Sequence, residues 1–363
     1  WFIAIMATGA VANILQILDA GRGGIHHQAA VVLLGIAVLA FGPVLALILT
    51  RFVNDRRTLY RELAHSSLIQ FYSAMFIAAA ICTTGLIKIP LPWVSEALVQ
   101  RLAEALWTFA VVTGAAKAVF TPWRIITLDH AEPKRVLGFW FLPPVGLFVI
   151  VFAGNFLVLS PGYESWLPAV FAINLVLLGA ALFQTMVLFT MFLFRALTYP
   201  FPGADVLPSF AIGLAPVGVS IIALLSFLPV IGAAAPAGFA DVAALKPLLH
   251  FGLVLFWGFG LWWLAVAAVV IATGFRTRKV PVTLGFWAFI FPPAAFALAS
   301  LLLGQSTGIA FIRNTGVYLG YTVLAGWLLI AVLTVRGALD RSIFRLPPSF
   351  AEILSPEDRS KIL

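Results

Sequence analysis

The chain has 363 residues, of which 62% are hydrophobic and 10% are charged, with a formal net charge of +8 and a mean hydropathy of +1.07. Soluble domains carry about 25% charged residues, so this composition excludes a soluble globular protein. The basic residues are scattered through short loops and do not form a patch, so we expect no nucleic-acid partner. Their distribution is that of a membrane protein, and membrane lipid is the expected partner. The single cysteine, Cys82, excludes a disulfide framework and a thiolate metal site.

Ten apolar segments follow one another along the chain. Residues 167–194 show the pattern most clearly, because they carry no charge over more than the roughly 20 residues that a helix needs to cross a bilayer. Barrel strands would alternate in polarity, so helices are predicted and the fold class is all-α. The predicted helices are residues 1–19, 30–52, 68–89, 102–121, 137–159, 166–194, 208–231, 248–272, 284–304 and 315–335.

Lys and Arg are distributed unevenly between the two sets of loops. Loops after even-numbered helices contain Arg51, Arg56, Arg57, Arg61, Arg124, Lys134, Arg135, Arg195, Arg276, Arg278 and Lys279. Loops after odd-numbered helices contain only Arg22, Lys88, Arg101, Lys246 and Arg313. Positively charged loops stay in the cytoplasm, so this bias predicts a multi-pass protein of the inner (plasma) membrane with both termini cytoplasmic.

The odd-numbered helices share prolines and glycines. Helices five and nine both contain a Gly-Phe-Trp triplet, at residues 138–140 and 285–287, and a pair of prolines follows each triplet. A proline inside a helix removes a backbone hydrogen bond and kinks the helix, and the freed carbonyls must be buried or line a wet cavity. The pattern predicts an inner layer of kinked helices around a path, although Pro and Gly are also frequent in membrane helices generally. The predicted kink residues are Pro143, Pro144, Pro216, Pro292 and Pro293.

Polar side chains within the odd-numbered helices are candidates for lining this path. They can equally serve as hydrogen-bonding contacts between helices, and both alternatives remain open. The candidates are Asn13, Thr83, Thr84, Asn155 and Ser220. Basic candidates at the rims are Lys88 on the outer side and Arg276 and Arg278 on the inner side, since positive charge concentrates anions. Lys117, near the inner end of helix four, is expected to snorkel to the interface.

The chain lacks the common catalytic motifs, including the Gly-x-Ser-x-Gly elbow, the His-Glu-x-x-His helix and the phosphate-binding loop. No Asp or Glu lies deep in any predicted helix, which argues against a proton relay of buried carboxylates. The histidines lie in loops or near helix ends, so no facing pair of haem ligands is predicted. We therefore expect neither an enzyme nor a metal or other cofactor, and assign no catalytic residue.

Two stretches of the sequence resemble a known family. The opening nine residues, WFIAIMATG, resemble the start of the tellurite-resistance/dicarboxylate transporter family, with Ala7 in place of the first glycine of the usual Met-Gly-Thr-Gly. Residues 286–292, FWAFIFP, resemble the aromatic-Trp-x-x-x-Phe-Pro segment of the same family. This family includes bacterial tellurite-resistance proteins, fungal malic acid and sulfite transporters, and the slow anion channels of plant guard cells.

The resemblance implies five helical hairpins in a quasi-fivefold ring, with the odd-numbered helices around one central pore and the even-numbered helices outside them. It also implies a homotrimer with a pore in each subunit. Residues 1–336 would form the pore domain and residues 337–363 a cytoplasmic tail. In this family a phenylalanine of helix nine closes the pore. The matching residue is Phe291, and Phe289 is the alternative if the alignment shifts by two residues.

Two functional hypotheses follow from the residues and the resemblance together. The first is an anion channel or facilitator for a C4-dicarboxylate such as malate, or for a small monovalent anion. The second is a coupled transporter that exports sulfite, tellurite or an organic acid with protons. The lack of a deep carboxylate favours the first, but a protonated substrate could itself carry the proton. In either case the expected partner is a small anionic substrate.

Overall fold

The computed structural model describes residues 1–129, 132–200, 203–234 and 242–344. Ten helices in these ranges are long and apolar enough to cross a membrane, as predicted, and the described residues contain no strand. The helices are α1 (Phe2–Asp19), α2 (Ile25–Asn54), α3 (Ser73–Lys88), α4 (Glu96–Arg124), α5 (Leu142–Val158), α6 (Leu167–Thr198), α7 (Leu214–Ala234), α8 (Val242–Thr277), α9 (Phe291–Thr307) and α10 (Ala310–Leu339).

The odd-numbered helices form a closed inner ring. Each contacts the next one in chain order, and α9 contacts α1 to complete the circle. Each even-numbered helix lies outside the ring, against its own hairpin partner and the next inner helix. The five inner spans are 72–94% buried, whereas the five outer spans are 22–28% buried. The predicted quasi-fivefold arrangement of hairpins is confirmed.

Four of the five outer helices extend further at both ends than the sequence predicted, and α6 extends further only at its C-terminal end. They contain 29–36 residues, so they are roughly 44–54 Å long at 1.5 Å per residue and exceed the hydrocarbon core of a bilayer. Helix α4, for example, begins at Glu96 and not near residue 102. Hydropathy identifies only the part of a helix that lies in lipid, and the polar ends continue as helix into the interface.

Four of the inner spans are interrupted near their N-terminal ends. Short helical pieces, Leu68–Phe71, Gly138–Phe141, Ser209–Ile212 and Leu284–Phe289, precede α3, α5, α7 and α9 respectively. This end of the bundle also carries most of the loops that are rich in Lys and Arg, and we refer to it as the basic end. The breaks therefore form one ring at the basic end.

The prolines do not act as kinks inside the inner helices, which corrects the sequence prediction. Pro143, Pro144, Pro216, Pro292 and Pro293 all lie in the first turn of α5, α7 or α9. A first-turn residue has no helical partner for its N–H, so proline fits there without loss. The breaks lie just before these prolines. The prolines found inside helices are Pro43, Pro122, Pro229 and Pro247, three of them in outer helices.

Glycines allow the inner ring to close tightly. A side chain at Gly138 would place its Cβ 1.7 Å from the carbonyl oxygen of Ser209, and one at Gly218 would lie 2.5 Å from the main-chain carbon of Ala295. Only glycine permits main chains to approach so closely, as in other membrane helix contacts. These two contacts connect the start of α5 to the segment before α7, and α7 to α9.

The chain returns to the basic end after α10. This helix runs to Leu339, three residues past the predicted end of the pore domain, and a short helical turn, Ser342–Phe344, follows it. The Phe344 ring lies 5.9 Å from the ring of Trp1, next to the start of α1. The rest of the predicted tail, residues 345–363, lies outside the described residues.

Candidate transport pathway

A cavity of about 490 Å³ opens at the basic end, where the five inner spans begin. Every inner span contributes to its wall, through Phe2, Ala74, Phe139, Ile212 and Ala288 in chain order. The cavity therefore lies on the axis of the inner ring. The outer layer reaches it at only a few points, chiefly the end of α2 and the turn after α10.

The cavity wall is mainly apolar but holds a small polar cluster. The Arg51 guanidinium, in the last turn of α2, donates from Nη2 to Oε1 of Glu62 at 2.7 Å. The Tyr72 hydroxyl, at the break before α3, donates to Oε2 of the same carboxylate at 2.5 Å. The hydroxyl of Ser209 also borders the cavity, and it is buried without a hydrogen-bond partner among the described residues.

Phe291 continues one face of the short helix that enters the cavity. This helix, Leu284–Phe289, is a 3₁₀-helix, in which residues three apart lie above one another. Gly285 and Ala288 line the cavity, and Phe291 is the next residue at the same spacing. Its side chain is 1% exposed at the first position of α9. Phe291 itself does not line the cavity, and it lies three residues beyond Ala288 in the chain.

Phe289, the alternative gate residue, lies in a different environment. Its ring is 5.4 Å from that of Phe286 and 6.1 Å from that of Phe275 on α8. Phe289 thus belongs to an aromatic cluster at the contact with the outer layer. Phe275 itself is exposed, so this cluster faces the periphery of the bundle.

Four of the five polar candidates are buried and bonded within their own helices. Each of these side chains donates to a main-chain oxygen three or four residues earlier, at 2.8 to 3.1 Å. None of them lines the cavity at the basic end. The four are Asn13, Thr83, Thr84 and Ser220. Such bonds satisfy the donor of each side chain and leave acceptor capacity on its oxygen.

Asn155 connects three helices. Its Nδ2 donates to Oγ of Ser226 on α7 at 2.9 Å, and its Oδ1 accepts from Nδ2 of Asn174 on α6 at 2.8 Å. Asn155 itself is fully buried. Of the two alternatives raised by the sequence, the observed geometry is that of a contact between helices.

The predicted basic residues do not form the cavity. Lys88 is exposed at the opposite end of α3, with its Nζ 4.2 Å from the centre of the Phe156 ring. Arg276 and Arg278 are exposed at and just beyond the end of α8, and neither lines the cavity. Lys117 does not snorkel as expected: it is buried and donates to Oγ1 of Thr121 at 2.9 Å.

Sequence reasoning missed a set of tryptophans that connect the two layers. The outer-helix residues Trp107, Trp257 and Trp327 donate from their indole nitrogens to the inner ring. The acceptors are the carbonyl of Ile150 at 3.1 Å, Oγ of Ser300 at 2.8 Å and Oγ1 of Thr8 at 3.0 Å. A tryptophan in the middle of an outer helix could have indicated these contacts, because a buried indole N–H needs an acceptor and the inner helix supplies one.

Comparison with known proteins agrees with this architecture. A model of the family described as voltage-dependent anion channel (SLAC1) matches residues 1–335. An uncharacterized transporter of Methanocaldococcus jannaschii, MJ0762, is 25% identical over 95% of this chain and 96% of its own. A sulfite efflux pump of Arthroderma benhamiae is 25% identical over 95% and 92%.

A malic acid transport protein of Schizosaccharomyces pombe is 23% identical over 93% of this chain and 78% of its own. These relatives are named as transporters or pumps, and the family resemblance inferred from the two short motifs is confirmed over nearly the whole chain. The chain therefore belongs to the voltage-dependent anion channel family and is a multi-pass membrane protein that transports small anions.

Proposed function

We propose that this protein is a gated channel or facilitator in which anions pass along the axis of the inner ring. Its substrates are a C4-dicarboxylate such as malate, or small monovalent anions, and Phe291 closes the path. The observation that carries this proposal is the cavity at the basic end, lined by all five inner spans, with Phe291 next on the face formed by Gly285 and Ala288.

The position of Phe291 suits a steric and hydrophobic gate. An aromatic ring that fills a narrow apolar passage blocks an anion by its volume and by excluding the water that an anion needs. Rotation of one side chain at a helix start requires no movement of the ring of helices. The prolines in the first turns of α5, α7 and α9 support this role, because they fix where each helix begins beside the cavity.

The path beyond Phe291 would run between the inner helices. Asn13, Thr83, Thr84 and Ser220 remain candidates for its polar lining, because their oxygen atoms retain acceptor capacity and bound water could bridge to an anion. Lys88 is the candidate cation at the far mouth, since it is exposed at the end of an inner helix.

The remaining assignments concern the setting of the protein. The basic loops support a location in the inner (plasma) membrane with both termini in the cytoplasm, residues 1–336 forming the pore domain and 337–363 a cytoplasmic tail. The outer helices expose large apolar side chains such as Leu39, Phe183 and Leu197, which lipid or neighbouring subunits would cover. A homotrimer accounts for part of this surface, and native mass spectrometry of the detergent-purified protein tests it.

The proposal is tested by substituting the gate in reconstituted liposomes. Phe291→Ala should increase the flux of radiolabelled malate or of nitrate at least several-fold, because it removes the ring that fills the passage. Phe289→Ala is the matched control: it removes the same ring from the peripheral cluster and should leave flux near that of the native protein. Equal flux in the native and Phe291→Ala proteins, with both folded, would count against the gate.

A second candidate is a proton-coupled exporter of sulfite, tellurite or an organic acid. The similarity to sulfite efflux pumps favours this substrate class. Coupling requires either a group that takes up and releases protons along the path or a substrate that carries the proton itself. The inner-helix carboxylate of Asp19 lies at the far end of α1, where it accepts the N–H groups of Gly23 and Gly24 at 2.8 and 3.0 Å. Flux that follows membrane voltage without a pH gradient supports the channel, and flux that requires the gradient supports the exporter.

A further inference from the structure

The polar cluster in the cavity consists of side chains from three separate elements. Arg51 belongs to outer helix α2, Glu62 to the short helix Arg56–Ala64, and Tyr72 to the break before inner helix α3. All three border the same cavity. They meet there although no inner span supplies a cation to the cavity wall in the described part of the chain.

The two donors of this cluster hold one carboxylate by both of its oxygens. Oε1 of Glu62 accepts from Arg51 at 2.7 Å, and Oε2 accepts from Tyr72 at 2.5 Å. Bonds of this length are typical of charge-assisted contacts to a carboxylate. The donors therefore have the spacing that a two-oxygen anion requires, and the side chain of Glu62 already fills that position.

The guanidinium of Arg51 has more N–H groups than its bond to Glu62 uses. A guanidinium has five N–H groups, and Arg51 donates one of them to Oε1 of Glu62. The Arg51 side chain is 37% exposed and that of Glu62 19%, so the pair lies at the accessible rim of the cavity. An anion that enters from the basic end meets this guanidinium before it reaches Phe291.

We propose that Arg51 and Tyr72 form the first anion-binding site of the pathway, selective for anions that present two oxygen atoms to these donors, such as carboxylates and sulfite, over halides. Glu62 is an internal competitor that occupies this site when no substrate is bound. The inference rests on the proposed passage through the cavity. A fixed cation at a channel mouth would retain its anion, and conduction requires that the anion leave again. A tethered carboxylate solves this, because it replaces the departing substrate on the same two donors.

The site also borders a break in the inner ring. Tyr72 lies between the short helix Leu68–Phe71 and α3, so a bond to its hydroxyl acts at the junction of the two helical pieces. When a substrate takes the place of Glu62, the helix Arg56–Ala64 loses its bond to Tyr72 while the substrate gains it. The hydroxyl of Ser209, which has no hydrogen-bond partner in the described part of the chain, borders the same cavity and is a further donor for the other end of a dicarboxylate.

The decisive experiment is a double-mutant cycle on the full chain in proteoliposomes, with malate as the probe and chloride as the comparison anion. Glu62→Gln keeps the shape and removes the competing charge, so the apparent KM for malate should fall about fivefold, a size suited to a partly exposed ion pair. Arg51→Gln should raise this KM by at least about fivefold. In the double variant, most of the effect of Glu62→Gln should be lost, because Arg51 is the charged donor for which Glu62 competes and only the Tyr72 hydroxyl remains.

Two further variants separate binding from a structural role. Tyr72→Phe keeps the ring and removes one donor, and it should lower the preference for malate over chloride by about threefold. Glu132→Gln removes a charge from an exposed ion pair with Lys134 outside the cavity, and it should leave KM unchanged. If Arg51→Gln does not fold, Arg51→Lys replaces it, with an expected smaller rise in KM because lysine lacks the planar fork.

The proposal is overturned if Glu62→Gln leaves KM unchanged, or if its full effect persists in the Arg51→Gln background. It is also overturned if both single variants lower only the amount of folded protein, which is the behaviour of a structural ion pair. Thermal stabilisation of the purified protein by malate provides a readout that does not depend on transport. Loss of stabilisation in Arg51→Gln, with no effect of Phe291→Ala on flux, would support this site and contradict the proposed gate.

Discussion

The fifth and sixth membrane spans are equally apolar, yet they occupy opposite environments. The span that contains α5 is 94% buried, whereas the span that contains α6 is 28% buried. Hydropathy therefore determines that a segment crosses the membrane but not which layer it joins. The difference lies in the residues that allow close contact: a Cβ on Gly146 of α5 would lie 2.0 Å from the Phe76 ring, whereas one on Gly179 of α6 would meet nothing within 4 Å.

The largest difference between the two layers is expected when a glycine is replaced by a larger residue. Gly218→Leu on inner helix α7 should prevent recovery of folded protein, because its Cβ would overlap the main chain of α9. Gly252→Leu on outer helix α8 should be tolerated, because nothing lies within 4 Å of its Cβ. Size-exclusion chromatography in detergent measures both, and a folded Gly218→Leu protein would contradict the tight inner ring.

A smaller effect is expected from the buried amide network. Asn155→Leu removes the hydrogen bonds to Ser226 and Asn174 and should lower the free energy of unfolding by about 1–3 kcal/mol. The matched outer-layer variant is Thr190→Val, which removes an exposed hydroxyl bonded only within α6 and should change stability little. Thermal unfolding in detergent compares the two, and equal melting temperatures would mean that the network does not stabilise the inner ring.

The tryptophan contacts between the layers provide a finer test. Trp257→Phe removes the indole bond to Ser300 and should cost about 1 kcal/mol of stability. Trp262, on the same helix, is half exposed, so Trp262→Phe should leave the melting temperature nearly unchanged. If the two variants melt together, the indole bond contributes nothing measurable.

The smallest effect is expected at the basic residues. Lys88→Gln at the far end of inner helix α3 should reduce anion throughput by about twofold at low salt and less at high salt, because screening weakens a surface charge. Arg276→Gln at the end of outer helix α8 should have a weaker effect, since Arg276 does not line the cavity. Flux at two salt concentrations tests this, and a larger loss in Arg276→Gln would place the anion path near α8.

Much of the fold could be predicted from particular residues. The Gly-Phe-Trp triplets and the prolines that follow them identified the odd-numbered helices as the inner layer, and the alternation of basic loops gave the orientation of the helices. The form of the helix breaks could not be predicted, because the sequence alone does not show whether a proline lies in the interior of a helix or in its first turn. Pro143 and Pro292 were correct as markers of the inner layer and wrong as interior kinks.

The candidate site was only partly visible in the sequence. Phe291 could be selected by its resemblance to a family motif, but its separation from Phe289 required the face on which Gly285 and Ala288 lie. The cluster of Arg51, Glu62 and Tyr72 was not predicted, because its members belong to three elements and carry no shared spacing. Charge in a basic loop gives no indication of which arginine turns toward the axis.

The sequence by itself determined the membrane class, the ten spans, their alternation between two layers and the family, because each of these depends on composition, local patterns or short motifs. Only the tertiary structure decided where the polar and basic side chains lie. A side chain such as Asn155 is equally suited to a path or to a helix contact, and the neighbours that α6 and α7 bring to it settle the outcome. The cavity likewise exists only because five helix starts, far apart in the chain, meet around one axis.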